Sequence, residues 1–180
     1  MPIYLALLRG INVGGANRVP MKELRSLFEE LRHENVHTYL QCGNVVFEGR
    51  SSTSRKHAAE IEAAITKSFN LKVSVIVRTR RELERVAAGN PFATKGVKPT
   101  SLHVMFLAGS APAKAIKTLD PDRSPPDEFE VKGSEIYLRF PKGSGRSKLT
   151  IDYFEKKLGT RATARNWNTV VKVLELMQSS

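Results

Sequence analysis

The sequence predicts an α+β fold built from an N-terminal βαββαβ half packed against a second, partly similar α+β half. Two observations carry that reading: the order of strand-like and helix-like segments over residues 1–78, and its partial return over residues 101–180. A third is the first apolar run, Ile3–Arg9, whose alternate sets Ile3, Leu5, Leu7 and Tyr4, Ala6, Leu8 are both apolar. A half-buried strand alternates apolar with polar residues, so this one is expected to be covered on both faces.

The elements follow in order. After the first strand comes a glycine-rich loop, Gly10 to Val19, and Pro20 suits the first position of a helix. Met21, Leu24, Leu27, Phe28 and Leu31 then recur at helical spacing. Val36–Gln41 reads as a strand, Gly43-Asn44 as a tight turn and Val45–Glu48 as the next strand. Ser54–Phe69 is helical, with Ala58, Ile61, Ile65 and Phe69 on one stripe and a Ser/Thr cluster ahead of it as a cap. Leu71–Arg78, rich in β-branched residues, is a fourth strand. This strand–helix–strand–strand–helix–strand order is that of ferredoxin-like units. Thr79-Arg80-Arg81-Glu82 fits a capping box opening a short helix that Gly89 stops.

Residues 79–100 form the connection, with Pro91–Thr100 the join between halves. In the second half, Ser101–Leu107 reads as a strand and Ala113–Leu119 as a helix. Asp120–Pro126 is a proline-broken acidic loop, and Glu128–Lys132 and Glu135–Phe140 form a hairpin around Gly133-Ser134. Ser147–Leu158 is a helix ended by Gly159. The chain then finishes in a helix with Trp167, Val170, Val171, Leu174 and Met177 on one face, where a repeat of the first half would place a strand.

The chain has 180 residues, 29 Lys+Arg against 18 Asp+Glu, and a formal net charge of +11. Apolar residues make up 41%, enough for a core rather than a disordered chain. One cysteine excludes an internal disulfide framework and a multi-thiolate zinc site, and it fits a reducing compartment. No apolar run approaches a membrane span, and Ile3 to Leu8 is too short for a secretory leader, so a cytoplasmic protein without a membrane partner is expected. The charge is uneven. Asp120, Asp122, Asp127, Glu128 and Glu130 against Arg123 give residues 120–130 a net of −4, which leaves +15 on the rest of the chain. A field of that size attracts nucleic acid or phosphorylated small molecules.

Three segments carry the candidate chemistry. Arg9-Gly10-Ile11-Asn12-Val13-Gly14-Gly15-Ala16-Asn17-Arg18 leaves a strand and enters a helix, where backbone N–H groups and a helix dipole favour anions. Gly14 and Gly15 allow close approach of a ligand, and Arg9, Asn12, Asn17 and Arg18 supply donors. The loop matches neither GxGxxG nor GxxxxGK[ST], so no nucleotide cofactor is implied, nor any other cofactor. Thr160–Thr169 places Arg161, Arg165 and Asn166 beside the only Trp. The alternative reading there is that Asn166 or Asn168 caps the last helix, Trp167 is core, and at least one arginine is a structural staple. Lys142-Gly143-Ser144-Gly145-Arg146-Ser147-Lys148 is a basic glycine loop suited to a phosphate backbone, or else simply a solvated connection. With Gln41 and Asn44 from the second turn, these residues form the candidate ligand set.

Nothing in the sequence carries catalysis. His33, His37, His57 and His103 fall in different elements without ligand spacing, so no metal site is expected. Ser144 lies in GSG rather than GxSxG, and the acidic run does not match an EF-hand. Ile3-Tyr4-Leu5 with Phe47 invites comparison with RNA-recognition modules, but the full aromatic RNP1 pattern is absent from Gln41–Glu48. The favoured function is binding of a polyanion or phosphorylated ligand. Alternatives are an enzyme using Asn12, Asn17, Gln41, Asn44, Arg161 and Arg165 on a small anionic metabolite in a cleft between the halves, and an assembly module without a ligand; the oligomeric state is not readable.

Taken together, LLRGINVGGANRVPMKELR (7–25), QCGNVVF (41–47) and TARNWNTVVKV (163–173), with NPF at 90–92, resemble the bacterial family designated domain of unknown function 1697. The resemblance runs nearly end to end. It implies an α+β fold of ferredoxin-like character and no established activity. Members commonly have Ser where this chain has Cys42, which implies that this thiol is not a nucleophile.

Overall fold

A computed structural model of the chain describes all residues from Met1 to Ser180. The chain divides into two compact units, Met1–Glu84 with Lys172–Ser180, and Arg85–Val171. The first unit contains β1 (Ile3–Leu8), α1 (Met21–Glu30), β2 (Glu34–Tyr39), β3 (Asn44–Glu48), α2 (Ser54–Phe69) and β4 (Val75–Thr79), with α3 (Arg80–Ala88) following. The second contains β5 (Leu102–Leu107), α4 (Ala113–Ile116), β6 (Glu128–Lys132), β7 (Glu135–Arg139), α5 (Ile151–Leu158) and β8 (Ala162–Asn166), after which α6 (Trp167–Ser179) ends the chain.

Each unit carries one four-stranded antiparallel sheet, ordered β2-β3-β1-β4 in the first and β6-β7-β5-β8 in the second. Both are therefore ferredoxin-like. The second unit completes the βαββαβ order with β8, so the expected replacement of its fourth strand by the terminal helix is corrected. Strand β8 reads ATARN, in which one alternate set is Ala162, Ala164 and Asn166 and the other is Thr163 and Arg165, so no strong apolar signal marks it.

The duplication extends to individual hydrogen bonds. In the first unit Leu8 N donates to Gly43 O at 2.9 Å, Arg9 N to Ser74 O at 2.9 Å and Gly49 N to Pro2 O at 3.0 Å. The same three positions recur in the second as Leu107 N to Ser134 O (2.8 Å), Ala108 N to Arg161 O (2.8 Å) and Phe140 N to Ser101 O (2.7 Å). Strand register agrees: Leu5 faces Arg78 and Val104 faces Arg165.

In the first unit Tyr4, Ala6 and Leu8 of β1, with Val45, Phe47, Val75 and Val77, pack against Leu24, Leu27 and Phe28 of α1 and Ile61 and Ile65 of α2. The other β1 set is buried too, Leu5 and Leu7 being 0% and 1% exposed, as the doubly apolar sequence predicted. In the second unit Met105, Leu107, Ile136, Leu138 and Ala162 pack with Tyr153, Phe154 and Leu158 of α5.

Helix ends follow local chemistry. Thr53 Oγ1 accepts from Lys56 N, and Asn70 closes α2 in the left-handed region. Thr79 Oγ1 accepts from Glu82 N while Glu82 Oε2 accepts from Thr79 N, the reciprocal capping box that the sequence predicts. Other boundaries shift. Pro20 precedes α1 rather than opening it. The β2–β3 turn spans Leu40–Gly43 and Asn44 already belongs to β3, with Leu40 and Gly43 taking φ of 57° and 85°. Strand β4 begins at Val75, because Thr66 Oγ1 bonds the carbonyl of Leu71 and holds it at the end of α2. Helix α5 begins at Ile151, because Thr150 caps it and Ser147 Oγ accepts from Leu149 N in a local turn. On α6 the buried face is Val170, Val173 and Met177; Trp167 is half-buried, not core, and Val171 is 38% exposed.

Candidate anion-binding loops

The β1–α1 connection of the first unit runs through Gly10, Asn12, Gly14, Gly15 and Asn17, all at positive φ. Gly14 and Gly15 form the two-residue tip of a minimal hairpin closed by a Val13–Ala16 bridge, and both at positive φ is the pattern of a type I′ turn. A Cβ at Gly14 or Gly15 would meet nothing within 4 Å. The second unit makes the equivalent β5–α4 connection with Ala108–Pro112 alone. A ferredoxin-like unit of this chain therefore closes without such an excursion, and the longer loop is not a requirement of the fold.

The asparagines fix that loop. Asn12 Nδ2 donates to the carbonyls of Val19 and Gln41 at 2.9 and 2.8 Å, and Asn12 Oδ1 accepts from Val19 N at 2.8 Å. Asn17 Nδ2 donates to Gly10 O at 3.1 Å. Asn44, fully buried, donates to Tyr39 O and to Cys42 Sγ. Asn12 uses both ends of its amide, while Asn17 and Asn44 donate through Nδ2, and together the three hold the loop and the β2–β3 turn. In this loop Gly10 and all of Val13–Arg18 are exposed, Val13 to 61%, and in the β2–β3 turn Leu40 (54%) and Gln41 are exposed as well. Arg9 is half-buried.

In the second unit Lys142, Gly143, Ser144, Gly145, Arg146 and Lys148 are all exposed. The segment is nonetheless anchored: Lys148 N donates to Ser124 Oγ at 3.0 Å, and Arg123 Nε donates to Lys148 O at 2.9 Å. Arg123 also lies over the Tyr153 ring, 3.9 Å from its centroid, so the single cation of the acidic loop turns to an aromatic face. The carboxylates of that loop serve turns, Asp120 accepting from Asp122 N and Asp127 from Ser124 Oγ. Neither Arg18 nor Lys142, Arg146 or Lys148 forms an ion pair.

The Thr160–Thr169 segment divides by role. Arg161 is exposed, whereas Arg165 is only 8% exposed and donates to Thr163 Oγ1 and Ala164 O at 2.9 and 2.8 Å. Asn166 Oδ1 accepts from Thr169 N at 2.8 Å and so caps α6. In the structure Arg165 bonds along its own strand and Asn166 caps the last helix. Arg78, at the matching position of β4, is likewise buried and donates to Val77 O.

Tyr4 and Phe47 lie on the helix-covered face of their sheet, 2% and 0% exposed, which removes base stacking on those rings. The same core holds a pair that sequence reasoning missed. His33 and His57 meet with ring centroids 5.3 Å apart, and burial lowers the pKa of each, that of His33 to about 4. His103, against Phe140, is lowered by burial as well. No group of metal-ligating side chains large enough to hold an ion is present. No helix is long and apolar enough to cross a membrane.

These features define an α+β protein of two ferredoxin-like units with exposed basic, glycine-rich loops. The chain belongs to the family described as protein of unknown function, DUF1697, whose pattern matches residues 1–137. That stretch includes the first two resembling segments and the NPF tripeptide, but not residues 163–173. The structure is similar to that of the conserved bacterial protein SP0830 from Streptococcus pneumoniae, with 21% identity, a TM-score of 0.74 and 98% of each chain covered. At that identity the likeness shows the fold. No curated protein gives a significant match.

Proposed function

We propose that the protein binds a polyanion, a nucleic acid or a similarly phosphorylated ligand, through the Gly10–Arg18 and Lys142–Lys148 loops. The observation that carries this reading is the set of exposed cations Arg18, Lys142, Arg146 and Lys148, none neutralised by a carboxylate and all on loops whose main chains are anchored by hydrogen bonds. Anchored loops lose little conformational entropy when they bind. Of the directional groups that would orient a small metabolite, Asn12 and Asn44 turn their amides to the chain itself and Asn17 gives one N–H to Gly10 O. Exposed charge on an anchored main chain suits a repeating phosphate backbone better than one small molecule.

Titration of the full chain with short labelled DNA and RNA at several salt concentrations tests the proposal. Binding at low salt that weakens steadily as salt rises is expected. The variant K142E/R146E/K148E should bind markedly less at every salt concentration. Absence of binding to both nucleic acids at the lowest salt would overturn the reading.

A further inference from the structure

We propose that the buried His33–His57 pair is an acid-sensitive latch. At neutral pH it holds the Gly49–Thr53 strap, which joins β3 to α2, over the aromatic core of the first unit, and it releases the strap when the imidazoles take up protons. His33 is 4% exposed and His57 0%, and both ring nitrogens of His33 and Nδ1 of His57 have no hydrogen-bond partner. The rings pack among Tyr4, Phe28 and Phe47, with centroid separations from 4.4 to 5.9 Å. Buried polar atoms without partners are costly, and a charge there costs far more.

The strap is fastened at this place. The carbonyl of Arg50 accepts from His57 at 3.2 Å, so Nε2 carries the proton and Nδ1 is the bare nitrogen. Tyr4 Oη donates to Ser52 O at 3.1 Å and accepts from Ser52 N at 3.3 Å, and Gly49 N donates to Pro2 O at 3.0 Å. Gly49 itself is wedged against the pair: a Cβ there would lie 3.1 Å from His33 Nδ1 and 3.2 Å from His57 Cε1. The charged groups around the pair are Arg50 and Lys56, which oppose a new positive charge, and Glu60, which favours one but is held by Arg50 at 2.9 Å. Protonation of both rings would set two like charges against each other in a site that has no free anion.

The sign follows from the lowered pKa values. Between about pH 6.5 and about pH 4 the opened strap takes up a proton on His33 that the closed form refuses. Closure is therefore fully favoured above that window and is lost as pH falls through it. The closed-to-open ratio drops by up to about tenfold per pH unit for one histidine and about a hundredfold for both.

Imidazole titration by NMR, together with amide hydrogen exchange on the full chain from pH 7.5 down to 4, tests the latch. The expected result is that both rings titrate below the ordinary histidine range, His33 near pH 4. The Gly49 and Ser52 amides should lose protection on acidification before the β1 and β4 amides do. His33→Phe should keep those two amides protected to lower pH than the wild type. Ordinary titration of both rings, simultaneous loss of protection across strap and sheet, or an unchanged strap profile in the variant would each overturn the proposal. Should His33→Phe not fold, the wild-type ring titration and the order of amide exchange decide alone.

Discussion

Arg165 carries the sharpest residue-scale expectation, because its guanidinium is buried and bonded to Thr163 and Ala164 on its own strand. Truncation strands those acceptors in a site closed to water. Arg165→Ala is expected to cost about 2–3 kcal/mol in urea unfolding, as for a broken buried network. A loss under about 0.5 kcal/mol for Arg165→Ala, the level of ordinary surface changes, would remove its role as a staple. Gly43 makes a second case. Its φ is 85°, and a Cβ there would sit 2.7 Å from Leu8 Cβ and 3.1 Å from Ile11. Backbone strain and a core clash together predict a loss of about 2–4 kcal/mol for Gly43→Ala. Gly14→Ala, which meets no neighbour, should lose only the conformational part, about 1–2 kcal/mol.

At the scale of elements, the Thr79–Glu82 capping box is the most local determinant. Thr79→Ala removes the acceptor for Glu82 N and is expected to cost about 0.5–2 kcal/mol, read as a lower urea midpoint with an unchanged slope. Elements with strong local signals were legible from sequence. Helix α2 has a threonine cap and an apolar stripe, α3 has its box, and the β6–β7 hairpin has Gly133 at its turn. Strand β8 was not legible, because its alternating residues are Ala162, Ala164 and Asn166 on one side and Thr163 and Arg165 on the other, and burial of that second, polar side is decided by tertiary structure. The same reason hid His33 and His57, which lie in separate segments and meet only once α1, β3 and α2 have assembled. The candidate loops were visible as composition. The anchoring of their main chains was not, since a sequence does not show where Asn12 finds its carbonyls.

For the whole molecule, the duplication supplies an internal comparison. Two units share sheet order and matching hydrogen bonds, yet only the first spends an extended glycine-rich loop between its first strand and first helix. What that loop and the Lys142–Lys148 loop add is charge on an anchored backbone, within a chain of net charge +11. Charge of this kind binds phosphates by releasing their counterions, so its signature is thermodynamic rather than structural. The most direct measurement is the slope of log affinity against log salt concentration for a short duplex, compared between the wild type and K142E/R146E/K148E. The wild type should show a clearly negative slope. The variant's slope should be shallower by about 0.9 for each phosphate that it no longer neutralises. Equal slopes and affinities for the two proteins would contradict the assignment of polyanion binding to this loop.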